Sequence, residues 1–162
     1  MTASVANAIS FDLEHWYTAS LLRDVVTDPE DRIEQSVDIV LNCLAEHGVT
    51  ATFFVVGEVA AQYPALIARI EERGHEIGSH GHTHRPLFEL DPDAFREELA
   101  SSVETISEAI GRPPIGFRAP NFSITQKTEW AFEILVEEGF EYDSSVFPVK
   151  TPMYGVAKAP IR

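Results

Sequence analysis

The sequence predicts an α/β fold in which parallel strands form a partial or deformed (β/α) barrel with helices packed outside. Three observations carry this expectation. Short apolar runs alternate with amphipathic helical patterns along the whole chain. One run, "ATFFVV", is apolar without interruption, as in a strand covered on both faces. Polar residues recur where the runs stop, at the edge where parallel sheets build their sites.

The elements follow in order. "AISFD" reads as a first strand ending at Asp12. "DPEDRIEQSVDIVLNCLAEHG" reads as a helix, with Asp28 as cap, Pro29 in its first position and Gly48 beyond its end. Ile33, Val37, Val40, Leu41 and Leu44 form its apolar face, and Cys43, lying within that pattern, is expected to be a buried structural thiol. "ATFFVV" is the second strand, "YPALIARIEERG" a shorter helix closed by Gly74, and "HEIGS" a third strand leading into a run of histidines. "DPDAFREELASSVETISEAIG" repeats the Asp-Pro start and Gly stop, with Phe95, Leu99, Val103, Ile106 and Ile110 facing inward. "IGFRAP" is a fourth strand, "TQKTEWAFEILVEEG" a fourth helix and "FEYDSSVF" a fifth strand.

A chain of 162 residues suits one hydrophobic core, so residues 1–162 are read as a single domain. A closed eight-stranded barrel takes roughly 250 residues. Five strands fall short of it, and "PMYGVAKAPIR" ends without a helix, so the C-terminal part of the barrel is expected to be missing. The formal charge of −14 repels phosphate backbones and anionic lipid, so nucleic acid and membrane surfaces are poor partners, and no nucleic acid is expected as a partner. A single cysteine excludes an intrachain disulfide. "MTASVANAISF" carries no basic start or long apolar core, and no run is long enough to span a bilayer, so the expected location is cytoplasmic.

The topology gathers residues that are distant in sequence. Asp12 and Glu14 stand at the end of strand one, His80 and His84 after strand three, Arg118 at the end of strand four and Asp143 in strand five. On a helical turn, the four-residue spacing of His80 and His84 puts both rings on one face, within reach of one cation, with His82 pointing elsewhere. Two histidines and one acid from another strand are a catalytic zinc set. Asp12 and Glu14 alternate with Leu13 and project to the same side of a strand, so one is free to bind the metal and the other to act as a base.

These motifs resemble the NodB-homology polysaccharide deacetylases, carbohydrate esterase family four. "SFDLE" stands where that family has Thr-Phe-Asp-Asp, "HGHTH" where it has His-Ser/Thr-x-x-His, "RAPNF" where it has Arg-x-Pro and an aromatic, and "YDSSVF" supplies the later aspartate. The similarity runs over about residues 8 to 150, in the family's order. Leu13 replaces the second aspartate, which identifies the chain with the branch that writes Asp-x-Glu; Gly81 replaces Ser or Thr, and Asn121 replaces the aromatic.

The resemblance implies metal-dependent removal of N-acetyl groups from the amino sugars of a polysaccharide or glycolipid. It implies Glu14, His80 and His84 as ligands of a divalent ion, Zn2+ by donor type. Asp12 is the implied base, and Arg118 pairs with it and orients it. The alternative exchanges the roles of Asp12 and Glu14 or adds His15. The backbone N–H of Asn121 is the implied oxyanion donor, and Asp143 the residue that orients a general-acid histidine. The family's Leu-x-His motif supplies that histidine, and no histidine follows His84 here. A non-catalytic carbohydrate- or partner-binding module on the same scaffold, and a hydrolase of another C–N bond in a small molecule, are the competing expectations.

Overall fold

Strands β1 (Ser10–Leu13), β2 (Thr52–Val55), β3 (Glu76–Ser79), β4 (Gly116–Phe117) and β5 (Tyr142–Asp143) form one parallel sheet in the order β1-β2-β3-β4-β5. The structure is a computed structural model, and it describes residues 7–19, 21–149, 151, 155–157 and 159. Helices α1 (Ile33–Glu46), α2 (Gly57–Gln62), α3 (Pro64–Glu72), α4 (Pro92–Ile110) and α5 (Ala131–Glu137) lie between the strands in sequence. This is the α/β partial-barrel arrangement that the alternation predicts. Most of the C-terminal "PMYGVAKAPIR" and the first six residues lie outside the described residues.

The register lines up one row across all five strands: Leu13, Val55, Ser79, Phe117 and Asp143. Side chains alternate along a strand, so this row faces one side and its neighbours the other. Leu13, Val55 and Phe117 enter the apolar cores beneath the helices. One core joins β1–β3 to α1, α2 and α3 through Leu13, Phe53, Val55, Leu41, Ile67 and Ile77. A second gathers Phe95, Leu99, Phe117, Ile134, Leu135 and Phe140 around α4 and α5.

The preceding row faces the opposite side and holds Asp12, Phe54 and Gly78, with Gly116 and Tyr142 paired beyond them. It sets two glycines between two aromatic rings. A Cβ on Gly78 would come within 2.7 Å of the Phe54 ring, and one on Gly116 would run into the ring of Tyr142. The two glycines leave room for the two rings, which meet edge to face at 6.4 Å. This layer is the floor beneath the next row, Glu14, His80, Arg118 and Ser144.

Several boundaries differ from expectation. Helix α1 begins at Ile33, and Asp31 rather than Asp28 holds its first turn, its Oδ1 accepting the Ile33 N–H at 3.0 Å. Cys43 is exposed, a correction to its expected burial. Ile33, Val37, Leu41 and Leu44 are the buried face of α1, and Cys43, two positions after Leu41, points about 200° away from that residue at 3.6 residues per turn. The fourth expected helix shrinks to residues 131–137. Thr128 explains the shortening, because its hydroxyl donates to the Ser123 carbonyl at 2.8 Å and accepts the Thr125 N–H, a turn that competes with helix. Helix α2 was not foreseen: six residues are too few to show a period. Helix α4 matches its signals. Asp91 Oδ1 accepts from the Ala94 N–H at 2.9 Å, worth about 1 kcal/mol, and Gly111 closes it at φ 75°.

Candidate metal centre

The residue that follows β3, β4 or β5 is fixed by one further sheet bond. The N–H of His80 donates to the Val55 carbonyl at 2.8 Å, that of Arg118 to Ser79 at 2.9 Å, and that of Ser144 to Phe117 at 2.8 Å. Ladder order therefore continues into the residues that carry the chemistry.

Glu14, His80 and His84 come together there. One ligand atom from each lies within 4.8 Å of the other two. Both histidines are buried, at 2 % and 3 % exposure. The His84 Nε2 lies 2.9 Å from Glu14 Oε2, yet that oxygen is buried and makes no hydrogen bond. His80 Nδ1 sits 2.7 Å from the Arg118 carbonyl, which only accepts, so Nδ1 bears the proton and Nε2 keeps its lone pair toward Glu14 and His84. Burial pushes the His80 imidazole below its ordinary pKa against the pull of Asp12, which favours the neutral form a cation needs. Converging lone pairs and an unsatisfied buried carboxylate oxygen fit a divalent cation.

The histidine loop is not a helical turn, as the spacing had suggested. Residues 80–84 are irregular, and Gly81 (φ 76°) and His84 (φ 57°) both take left-handed backbone. The loop doubles back, and that brings the two rings to 5.1 Å between centroids. His82 points elsewhere, as expected, into a cleft shared with His15, Tyr17 and Gln62. Its backbone lies on Gly57 at the start of α2, where a Cβ would run into the His82 ring and come within 3.1 Å of the Cα atoms of His82 and Ser102. Gly57→Ala is therefore expected to destabilise the fold by about 1–3 kcal/mol, measured as a shift in the urea midpoint.

Asp12 stands beside this group, with Oδ2 3.9 Å from His80 Nε2. Arg118 Nη1 donates to its Oδ1 at 2.7 Å, the pairing expected of these two residues. Arg118 is itself held by residues that sequence reasoning missed: Nη2 donates to Ser10 Oγ at 2.9 Å and Ser144 Oγ at 2.8 Å, and its guanidinium lies 4.1 Å over the Phe54 ring. Ser10 stands two residues before Asp12, so strand alternation could have found it. His15 stays apart, its Nε2 3.1 Å from Gln62 Oε1 and its Nδ1 3.8 Å from Asp31. Trp16 is 46 % exposed, with its indole N–H donating to the Glu30 carbonyl at 3.0 Å.

Asn121 lies in a 3-10 turn, Pro120–Phe122, at φ 56°. Asp143 sits in the helix-facing row and is bound to Ser145: Oδ2 accepts the Ser145 N–H at 2.9 Å and Oδ1 its hydroxyl. The Ser145 oxygen in turn accepts the Ala119 N–H at 2.7 Å, so Asp143 reaches the Asn121 turn through one side chain. Burial pushes the Asp143 pKa up, opposed by the Ser145 bonds. A folded-state value above the unfolded one means a stability contribution that is full below the unfolded carboxylate value, about 4, and is lost as pH rises through the folded value. Asp143→Asn is expected to remove that loss, so its stability relative to the unchanged chain rises as pH climbs above about 4 in chemical denaturation.

The family model for polysaccharide deacetylase matches residues 24–138. The chain belongs to the polysaccharide deacetylase family. This agrees with the resemblance read from the four motifs. The chain is 34 % identical over 95 residues to a peptidoglycan-N-acetylglucosamine deacetylase of Bacillus cereus, covering 58 % of itself and 34 % of that protein. It is 38 % identical over 82 residues to a chitooligosaccharide deacetylase of a Bradyrhizobium species, covering 50 % and 37 %. A crystal structure from Mycobacterium smegmatis, described as a polysaccharide deacetylase, superposes with a TM-score of 0.68 at 34 % identity over 86 % of this chain and 50 % of that one. The chain spans little more than a third of the length of these two curated relatives. Among the described residues, no helix is long and apolar enough to cross a membrane.

Proposed function

We propose that the protein is a metal-dependent hydrolase that removes N-acetyl groups from the amino sugars of a polysaccharide or glycolipid. The observation that supports it best is the convergence of Glu14, His80 and His84 beside an aspartate held by Arg118. One curated relative is named for peptidoglycan N-acetylglucosamine and the other for chitooligosaccharide, which supports this substrate class.

Glu14, His80 and His84 hold the ion, and two imidazoles with one carboxylate suit zinc. A divalent ion there supplies Lewis acidity, which lowers the pKa of water beside it and polarises an amide carbonyl. Asp12 accepts the proton of the attacking water on Oδ2, while Arg118 fixes the carboxylate through Oδ1. The backbone N–H of Asn121 donates to the oxyanion that develops on the former carbonyl. The C–N bond then breaks, the proton held on Asp12 passes to the leaving amine, and acetate and a free amino sugar leave. Asp143 acts through Ser145 to hold the turn carrying Asn121. We place the reaction in the cytoplasm as part of the same proposal, which fractionation of the source cells would check.

The test is acetate release from acetylated chito-oligosaccharides and from peptidoglycan fragments, with and without a chelator. Release that stops with chelator and returns with Zn2+ supports the reading. Binding of the sugar without turnover, or turnover confined to non-sugar amides, overturns it.

A further inference from the structure

We propose that Glu98 is a positioning residue for the metal centre: its carboxylate clamps residues 82 and 83, and so sets where His84 stands relative to His80 and Glu14. The inference rests on the metal-site reading and adds to it a residue outside the ligand set.

The loop that carries both imidazoles cannot hold its own shape. Past His80 it has no helical or sheet ladder, and His84 sits in left-handed backbone, which costs a non-glycine residue about 1–2 kcal/mol. Bonds from elsewhere must therefore fix it. Its carbonyls are met by the start of α2: the Gly57 N–H donates to Gly81 O at 2.9 Å and the Glu58 N–H to His82 O at 3.0 Å. Its N–H groups are met from the other side by α4. Glu98 Oε2 accepts from the His82 N–H at 3.0 Å and the Thr83 N–H at 2.9 Å, and Oε1 accepts the Thr83 hydroxyl at 2.6 Å. One carboxylate thus takes three donors from the two residues that precede His84. Bonds to an ionised acceptor are roughly twice as strong as neutral ones.

Glu98 is well placed to transmit rigidity. Its helix, α4, is anchored one turn further on by Ser102, whose Oγ lies 2.8 Å from Ser79 Oγ at the end of β3. Ser79 Oγ also accepts the Gly81 N–H at 3.2 Å. Helix α4 and strand β3 therefore grip the loop at both ends: at His80 and Gly81 through the strand, and just before His84 through Glu98. Without the second grip, His80 keeps its place and His84 does not.

The geometry separates an acceptor role from a purely structural one. A glutamine at 98 keeps one oxygen for the two backbone N–H groups, and the Thr83 hydroxyl turns to accept from its amide. An alanine offers nothing. Zn2+ titration of the metal-free chain, followed by calorimetry, is expected to show affinity weakened about 10–100-fold in Glu98→Ala, with most of it recovered in Glu98→Gln. The unfolding midpoints of the metal-free variants should stay together. Amide exchange at His82 and Thr83 should speed up in Glu98→Ala while that of β3 does not.

Glu98→Ala taking up Zn2+ as tightly as the unchanged chain overturns the proposal. If the unchanged chain takes up no Zn2+, the metal reading fails instead, and exchange at His82 and Thr83 alone judges the clamp: unaltered exchange overturns it. Should Glu98→Ala not fold, Thr83→Val removes one of the three donors and makes the same comparison. Weaker Zn2+ uptake at an unchanged metal-free midpoint then supports the clamp, and equal uptake overturns it.

Discussion

Asp12→Asn is expected to cut the rate of acetate release by about 10²- to 10⁴-fold, the usual worth of a positioned general base, while Zn2+ uptake changes little. The asymmetry follows from the two ends of one side chain. Oδ1 is bonded to Arg118, and Oδ2 stands 3.9 Å from His80, on the side where water would be activated. An asparagine fills the same space but cannot take a proton. Asp12 is outside the group whose atoms converge within 4.8 Å, so its charge is not needed to hold the ion. Rates at saturating substrate, read alongside Zn2+ titrations, check both halves. Zn2+ uptake lost in Asp12→Asn but kept in Glu14→Gln would exchange the roles of the two carboxylates.

His80→Ala is expected to abolish high-affinity metal binding, a larger loss than the about 10–100-fold that removal of an outer partner costs. His80 is 2 % exposed, and its ring is aimed by the Arg118 carbonyl, so the substitution removes a buried ligand held in orientation. Only Glu14 and His84 would remain. Dialysis against Zn2+ followed by elemental analysis gives the answer, and a full equivalent retained would count against the ligand set.

How far the chain could be read from its sequence depends on how local each signal is. The alternation of apolar runs and helical patterns is a local signal repeated five times, and the parallel sheet followed from it. The convergence of Asp12, Glu14, His80 and Arg118 was legible too, because parallel strands place their C-terminal ends along one edge; Asp143 shares that edge but faces the helices, since it falls in the Phe117 row and is taken up by Ser145. Helix boundaries were less so. Asp28-Pro29 carries a start signal, but Asp31 reaches both the Ile33 N–H and the Tyr63 hydroxyl, and that tertiary tie sets the start at Ile33. The shape of the histidine loop was misread because a four-residue spacing says nothing about backbone conformation. Two left-handed residues bring the rings together where a helical turn would have done so differently. Glu98 gave no signal at all: it is one glutamate on an acidic helix, and only folding shows that it faces the loop. Ser144 and Phe54, which hold Arg118, were hidden for the same reason.

The central claim is that the sheet edge gathers two imidazoles and one carboxylate around a single divalent ion. Zinc K-edge X-ray absorption on the Zn2+-loaded protein tests it most directly. The predicted spectrum shows two imidazole nitrogens at about 2.0–2.1 Å and carboxylate oxygen at about 2.0–2.2 Å, a shell that His80→Ala loaded in the same way does not give. A shell made of oxygen alone, or one that His80→Ala leaves unchanged, would contradict it.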